Sequence, residues 1–162
     1  PAGVERAGTP EAADFALTLT PEGGALHLVP PIGVLGVGCR RGTTAERLEE
    51  AFSDFCASSG LSPAAVSAAA SIDLKKEEPG LAQFCEAHGW PITFYSADQL
   101  RAVPGQFTPS AFVAGVTGVD NVCERAAAKA SGGALLLPKT AGGGVTLALA
   151  VRPFAPDWRT EQ

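Results

Sequence analysis

Hydrophobic positions along the chain follow two periodicities that alternate. Short apolar runs predict buried strands, and apolar residues that recur every three or four positions predict amphipathic helices. The predicted strands cover 15–20, 25–29, 34–38, 66–72, 92–95, 134–137 and 145–151. The predicted helices cover 44–59, 81–88, 97–100, 110–116 and 119–130.

This alternation indicates an α/β fold: a single domain with a mostly parallel sheet of about five strands and helices on both faces. Pro30 and Pro31 separate an irregular N-terminal part from the strongly periodic region. We therefore expect residues 1–31 to form an extension or the tail of a preceding domain. Residues 32–151 form the α/β domain, whose last two strands pair as a hairpin, and residues 152–162 form a loose tail.

Composition narrows the class of protein. The chain has 162 residues, a net charge of -5, 46% hydrophobic residues and 18% charged residues. These values fit one globular domain, and no run of about 18 apolar residues is present to span a membrane. Without a dense Lys/Arg stripe, nucleic-acid binding is not expected, so a small molecule or a protein is the expected partner. No signal peptide is apparent, which makes the cytoplasm the expected compartment. The absence of Met indicates either a trimmed chain or a piece of a longer protein.

Residues that bind metals are few and scattered. The chain has four cysteines far apart and only two histidines, so we predict neither a disulfide framework nor a metal site, and no cofactor. His88 falls on the apolar face of its helix, where packing or capping is the expected role. Asp73 and Glu78 flank two lysines and are expected to form solvated ion pairs with them.

Three loops rich in basic residues should meet at one edge of the sheet, because the carboxyl ends of parallel strands share that edge. They are residues 36–43, 71–78 and 136–144. Their five cations are Arg40, Arg41, Lys75, Lys76 and Lys139. Thr43 and Glu46 form a predicted capping box that places a helix N-terminus beside the first loop, which favours a carboxylate or a phosphate. A solvated turn with two surface arginines is the alternative for this loop.

Several further residues in these segments could contact a ligand. Gly38 and Gly42 allow close approach of the backbone, and Cys39 lies where a thiolate would be stabilised, although ordinary packing is the alternative. Asn121 either caps the following helix or meets the ligand. The complete candidate ligand-binding set is Gly38, Cys39, Arg40, Arg41, Gly42, Thr43, Ser71, Lys75, Lys76, Asn121, Glu124, Lys139 and Thr140. No catalytic residue is assigned.

Six segments together resemble the C-terminal domain family shared by the cobalamin-biosynthesis proteins CbiG, a cobalt-precorrin-5A hydrolase, and CobE. They are GVGCRRGT at 36–43, SIDLKKEEPGL at 71–81, ITFYSADQL at 92–100, residues 110–119, GVDNVCERAA at 118–127 and LLLPKTAGGGVTLALA at 135–150. They occur in family order across essentially the whole predicted domain. The resemblance implies an α/β domain that acts in making the corrin ring.

Three functions are compatible with this resemblance. The first is binding of a corrinoid or precorrin intermediate, whose acetate and propionate side chains would meet the five cations. The second is the hydrolase reaction, which opens a ring lactone and releases acetaldehyde, with Cys39 or Glu124 assisting proton transfer. The third is a scaffold that docks onto another enzyme of the cobalamin pathway.

Overall fold

The computed structural model describes residues 5–9, 12–23, 26–109 and 118–156. Its strands are β1 (Phe15–Leu17), β2 (Leu26–Leu28), β3 (Gly33–Cys39), β4 (Val66–Ile72), β5 (Ile92–Tyr95), β6 (Ala134–Gly142) and β7 (Val145–Val151). Its helices are α1 (Ala45–Ser59), α2 (Pro79–His88), α3 (Ala97–Arg101) and α4 (Val122–Ser131). The helix predicted at 110–116 lies outside the described residues.

Five strands form the main sheet in the order β5-β4-β3-β7-β6, and β1 pairs with β2 in a separate parallel ribbon. The β3–β4 and β4–β5 pairs are parallel, whereas β7 runs antiparallel to both β3 and β6. The sheet is therefore mixed, and the prediction of a mostly parallel sheet is only partly right. A two-residue connection joins β6 to β7, and so short a connection permits only an antiparallel pair.

Helices cover both faces of the sheet, as predicted. Leu35 and Val37 of β3 belong to an apolar cluster with Phe52 of α1 and Phe84 of α2. Val34 points the opposite way, into a second cluster with residues of α3 and α4. Successive residues of a strand point to opposite faces, so β3 contributes to both halves of the core.

The packing role predicted for His88 is confirmed. Its ring stacks on Trp90 with centroids 4.1 Å apart, and it meets the edges of Phe52 and Phe84. The ring Nε2 lies 2.6 Å from a carboxylate oxygen of Glu49. The imidazole thus ties the end of α2 to α1.

Several boundaries differ from the sequence prediction, and two of them lie beside the basic loops. Helix α1 is capped by Thr44, whose side chain accepts a hydrogen bond from the N–H of Arg47, and not by Thr43. The hydroxyl of Thr43 instead donates to the carbonyl of Arg40 and closes the preceding turn. Strand β6 continues to Gly142, well beyond the predicted end at 137. Its pairing with β7 is irregular around residue 138, a proline, which edge strands tolerate.

Strand β3 is held close to helix α4 by a glycine. A Cβ at Gly36 would overlap the carbonyl oxygen of Cys123, so the helix could not approach the strand this closely with any other residue there. At the start of β3, Gly33 pairs with Val151, and the N–H of Arg152 donates to the carbonyl of Ile32 at 2.9 Å.

Among the described residues, no helix combines the length and apolar character that crossing a membrane requires.

Candidate functional site

A cavity of about 490 Å³ opens at the edge of the sheet where β3 and β4 end. The first turn of α4 and the β6–β7 hairpin complete its wall. Its lining residues are Gly38, Cys39, Arg40, Arg41, Ile72, Lys75, Asp120, Asn121, Val122, Cys123, Lys139, Ala141, Gly142, Gly144, Val145 and Thr146. A volume of this size lies within the range of small-molecule sites, roughly 300–1,000 Å³.

The structure brings together all three segments in which basic residues were noted. Seven members of the candidate set line the cavity: Gly38, Cys39, Arg40, Arg41, Lys75, Asn121 and Lys139. The other six do not line it: Gly42, Thr43, Ser71, Lys76, Glu124 and Thr140. Lys139 and Thr140 lie in strand β6 and not in a loop, because the hairpin extends its ladder through them.

Positive charge dominates the cavity wall. Arg40, Arg41, Lys75 and Lys139 line it, together with a single carboxylate among the described lining residues, that of Asp120. This carboxylate accepts a 2.8 Å hydrogen bond from Nε of Arg125, which lowers the pKa of Asp120. Within the described part of the chain, neither arginine of the wall nor Lys139 forms an ion pair.

Apolar side chains form a further part of the wall. Ile72 ends β4, Val122 begins α4 and Val145 begins β7, and all three are buried residues of the core whose surfaces also face the cavity. A site that presents several cations beside apolar surface fits a ligand that combines carboxylates with an apolar body.

Two glycines shape the hairpin over the cavity. Gly143 and Gly144 form the two-residue connection and both have positive φ, 57° and 82°, as the type I′ turn requires. The carbonyl of Gly144 accepts a 2.9 Å hydrogen bond from the N–H of Arg40. The hairpin therefore holds the start of the arginine loop.

Gly38 lines the cavity and also makes room for a side chain of the neighbouring strand. A Cβ at this position would overlap the hydroxyl of Thr146 on the neighbouring strand β7. The absence of a side chain therefore makes room for Thr146, which itself lines the cavity. Gly42, with φ of 74°, turns the chain beneath the arginines and lies outside the lining.

Glu78 forms the expected ion pair with Lys75, but the pair is largely buried and not solvated. The residue is 9% exposed, and its Oε2 accepts a 2.8 Å hydrogen bond from the N–H of Gly42. Its Oε1 lies 3.4 Å from Nζ of Lys75. The Gly42 hydrogen bond, followed by the charges of Lys75 and Arg41, lowers the pKa of Glu78 despite its burial. Helix α2 begins directly after it and orients the carboxylate toward the arginine loop.

Cys39 lines the cavity at the end of β3. Burial is the largest influence and raises the pKa of Cys39, outweighing the opposing effects of Lys75 and of a hydrogen bond with Thr43. The basic loop was compatible with a stabilised thiolate, and ordinary packing was the other interpretation. The last residue of β3 lies half-buried against the core, which favours packing.

Three polar members of the candidate set stabilise the cavity wall through hydrogen bonds within the protein. Asn121 caps α4 by accepting the N–H of Glu124 at 3.0 Å, and it also lines the cavity, so both roles considered for it are compatible with its position. Glu124 is fully buried and accepts hydrogen bonds from Lys139 and Thr108. Ser71 is also fully buried, and its hydroxyl donates to the carbonyl of Val37 at 2.7 Å.

Asp120 and Thr146 are lining residues that the sequence analysis missed. Asp120 directly precedes the capping Asn121, so its place at the mouth of a helix N-terminus was a usable signal. Thr146 gave no signal, because its exposure to the cavity depends on the glycine opposite it in β3. Among the described residues, no group of three or more His, Cys, Asp or Glu side chains is arranged to hold a metal ion.

Comparison with protein families and known proteins identifies the domain. The family model described as the cobalamin synthesis G C-terminus matches residues 33–150. A cobalt-precorrin-5A hydrolase from Priestia megaterium is 36% identical over 82% of this chain and 35% of its own length. One from Salmonella typhimurium is 37% identical over 76% of this chain and 35% of its own length. The chain thus spans about a third of the curated hydrolases it matches.

Relatives nearer to this chain in length show the same similarity. Protein CobE from Sinorhizobium sp. is 33% identical over 72% of this chain and 78% of its own length. The crystal structure of CobE, a protein from the cobalamin pathway, superposes with a TM-score of 0.67 at 35% identity, over 76% of this chain and 92% of that one. The match covers most of the chain and has the fold described above. The chain therefore belongs to the CbiG C-terminal family of cobalamin-biosynthesis proteins, together with CobE.

Proposed function

We propose that this domain binds a polycarboxylate corrinoid or precorrin intermediate in the cavity at the sheet edge. One observation carries the proposal: four cations line a single cavity whose other walls are largely apolar, in a chain of net charge -5. The net charge of the chain repels anions, so a general attraction of anions to its surface does not explain a cluster of four cations in one cavity. The cations are concentrated where a ligand can be enclosed.

The cations are available to a ligand. Arg40, Arg41 and Lys139 are not ion-paired within the described ranges, so a ligand carboxylate need not displace a protein carboxylate from any of them. Arginine binds a carboxylate through two parallel hydrogen bonds, which fixes the orientation of the acid group. Cations on two different sides of the cavity suit a ligand whose acid groups are distributed around a ring.

The apolar wall suits the body of such a ligand. Ile72, Val122 and Val145 offer hydrocarbon surface between the charged groups. Burial of apolar ring surface against them contributes roughly 25 cal/mol per Å². Acid groups and macrocycle would thus be recognised by separate parts of one cavity.

The test uses cobyrinic acid, a corrinoid with free side-chain carboxylates, and its methyl ester as a neutral control. Binding is followed by the absorption spectrum of the corrin. The acid should bind, the ester should bind far more weakly, and Arg41→Ala with Lys139→Ala should weaken binding of the acid by about a hundredfold or more.

Arg6→Ala with Lys129→Ala is the matched control, since it removes one arginine and one lysine that lie outside the cavity lining. It should leave affinity nearly unchanged. Equal losses in the two double variants, or equal binding of the acid and the ester, would contradict the proposal.

Hydrolysis of cobalt-precorrin-5A is a second candidate function, favoured by the two hydrolases that are 36% and 37% identical to this chain. In this reaction water attacks the lactone carbonyl, and the acyl C–O bond breaks to give a carboxylate and an alcohol. Loss of the alcohol proton then breaks the C–C bond between the carbinol carbon and the ring, which releases acetaldehyde and leaves the electron pair on the ring, where it is delocalised or takes up a proton. Lys139 or Arg41 would stabilise the negative charge that develops on the carbonyl oxygen.

This candidate is tested by incubating the chain with cobalt-precorrin-5A and trapping released acetaldehyde. Release by the unaltered chain, and its loss in the Arg41→Ala, Lys139→Ala variant, would support hydrolysis at this cavity. A spectral shift without acetaldehyde would leave binding as the function of this domain by itself.

A further inference from the structure

We propose that Glu78 is a positioning residue that aligns two basic loops, 40–42 and 73–78, so that Arg41 and Lys75 face the cavity together. The inference rests on the ligand-binding function proposed above. Glu78 itself does not line the cavity. It would act on a ligand only through the groups that it holds.

The carboxylate of Glu78 joins segments that are far apart in sequence. One oxygen accepts the N–H of Gly42, 36 residues earlier in the chain, at 2.8 Å. The other lies 3.4 Å from the ammonium of Lys75. Gly42 directly follows Arg41, so a single buried carboxylate reaches the backbone behind one cavity cation and the side chain of another.

Glu78 is itself held in place. Pro79 begins helix α2 with a fixed φ, and a Cβ at Gly80 would overlap the carbonyl oxygen of Thr43. The start of α2 is therefore in close backbone contact with the residues that follow the arginine loop. The carboxylate projects from a site that cannot shift without moving both elements.

The arginine loop is thereby fixed at both ends. The N–H of Arg40 donates to the carbonyl of Gly144 in the hairpin, and the N–H of Gly42 donates to Glu78. Arg41 lies between these two hydrogen bonds. Loss of the Glu78 acceptor would free the second end and allow Arg41 to leave the cavity wall.

Electrostatics and positioning make opposite predictions for this residue. A negative charge beside the cavity repels a polycarboxylate, so its removal should tighten binding if charge alone matters. If Glu78 acts by positioning, removal of the acceptor should weaken binding although the cavity becomes more positive. The direction of the change therefore separates the two.

The experiment measures the affinity of cobyrinic acid for the full chain carrying Glu78→Ala, Glu78→Asp or Glu78→Gln. The first two lose the hydrogen bond to Gly42, one by truncation and one because the side chain is a methylene shorter, and should bind about tenfold more weakly. Glu78→Gln keeps an oxygen that can accept the N–H of Gly42 and should bind within about threefold of the unaltered chain. Glu77→Ala is the matched control, because Glu77 is an exposed neighbour of the same charge.

A second readout does not depend on the ligand. Amide hydrogen exchange at Gly42 should accelerate in Glu78→Ala and Glu78→Asp but not in Glu78→Gln or Glu77→Ala, while exchange in the β3 core stays slow. If Glu78→Ala does not fold, the comparison of Asp with Gln decides. Unchanged or tighter binding by Glu78→Asp, or unchanged exchange at Gly42, would overturn the inference. Failure of the unaltered chain to bind cobyrinic acid would instead refute the proposed function, and Gly42 exchange would still report on the positioning role.

Discussion

The backbone N–H of Lys139 donates a 2.6 Å hydrogen bond to Oε1 of Glu124, a carboxylate with no exposed surface. The same carboxylate accepts the N–H and the hydroxyl of Thr108, each at 2.8 Å. Glu124 thus fixes the strand that carries Lys139 from behind the cavity wall. Its acceptor oxygens find their hydrogen-bond donors inside the protein.

Replacing Glu124 with alanine should destabilise the protein strongly. The change leaves the N–H groups of Thr108 and Lys139 without their acceptor, at about 1–3 kcal/mol for each buried unpaired group. The expected loss in free energy of unfolding is therefore roughly 3 kcal/mol, measured by urea denaturation. Glu86→Ala, on the exposed side of α2, should change stability by less than about 0.5 kcal/mol. Similar losses in the two variants would show that the Glu124 hydrogen bonds contribute little.

Cys39 should be alkylated slowly at neutral pH and faster as the pH rises. Burial raises its pKa, and only the thiolate reacts. It should still react before the other three cysteines, because they are buried whereas Cys39 is half-buried. Mass spectrometry after iodoacetamide treatment measures both effects.

Cobyrinic acid should protect Cys39 from this reaction, since the thiol lines the cavity. The methyl ester at the same concentration is the control. An unprotected Cys39 in the presence of saturating acid would place the ligand elsewhere.

Acid should remove the stabilisation that Glu78 contributes. The hydrogen bond from Gly42 holds the pKa of Glu78 below its ordinary value, so the folded protein favours the carboxylate. This contribution is fully present above the pKa of the unfolded state and is lost as the pH falls through the lower pKa of the folded state. The free energy of unfolding should therefore fall more steeply with acid in the unaltered chain than in Glu78→Gln. Parallel pH profiles would show that Glu78 titrates alike in the folded and unfolded states.

Gly36→Ala should be among the most damaging single-methyl changes in the domain. The new Cβ would overlap the carbonyl oxygen of Cys123, so helix α4 must move away from β3. Forced overpacking of this kind costs about 1–3 kcal/mol or more. Gly142→Ala is the matched control, because a Cβ there has no neighbour within 4 Å. Thermal unfolding should show a large decrease for the first variant and a small change for the second.

Most individual elements could be predicted from local pattern. The bounds of β4, β5 and β7 agree with the prediction, because each is a short apolar run with clear breaks on both sides. The ends of α1 and α2 were equally clear, since Gly60 and Gly89 adopt the left-handed conformation that ends a helix. These signals lie within a few residues of the feature they specify.

The parts that could not be predicted depend on contacts distant in sequence. The position of β7 between β3 and β6 is settled by pairing across more than a hundred residues. Within the site, the roles of Glu78 and Glu124 also depend on distant contacts. From the sequence, their side chains are compatible with surface or ligand-binding positions, and only the structure shows the backbone N–H groups that they bind. The cations were found because basic residues that follow strands share an edge whatever the order of the strands.

The antiparallel direction of β7 places the entry and the exit of the sheet side by side. The chain enters the sheet at Gly33 and leaves it at Val151, which are paired neighbours, while the cavity lies at the other end of these two strands. The connections into and out of the sheet, at Ile32 and Arg152, therefore lie at the end opposite the opening. A domain joined to the sheet through these two connections would be attached away from the cavity, so the opening need not be covered by it.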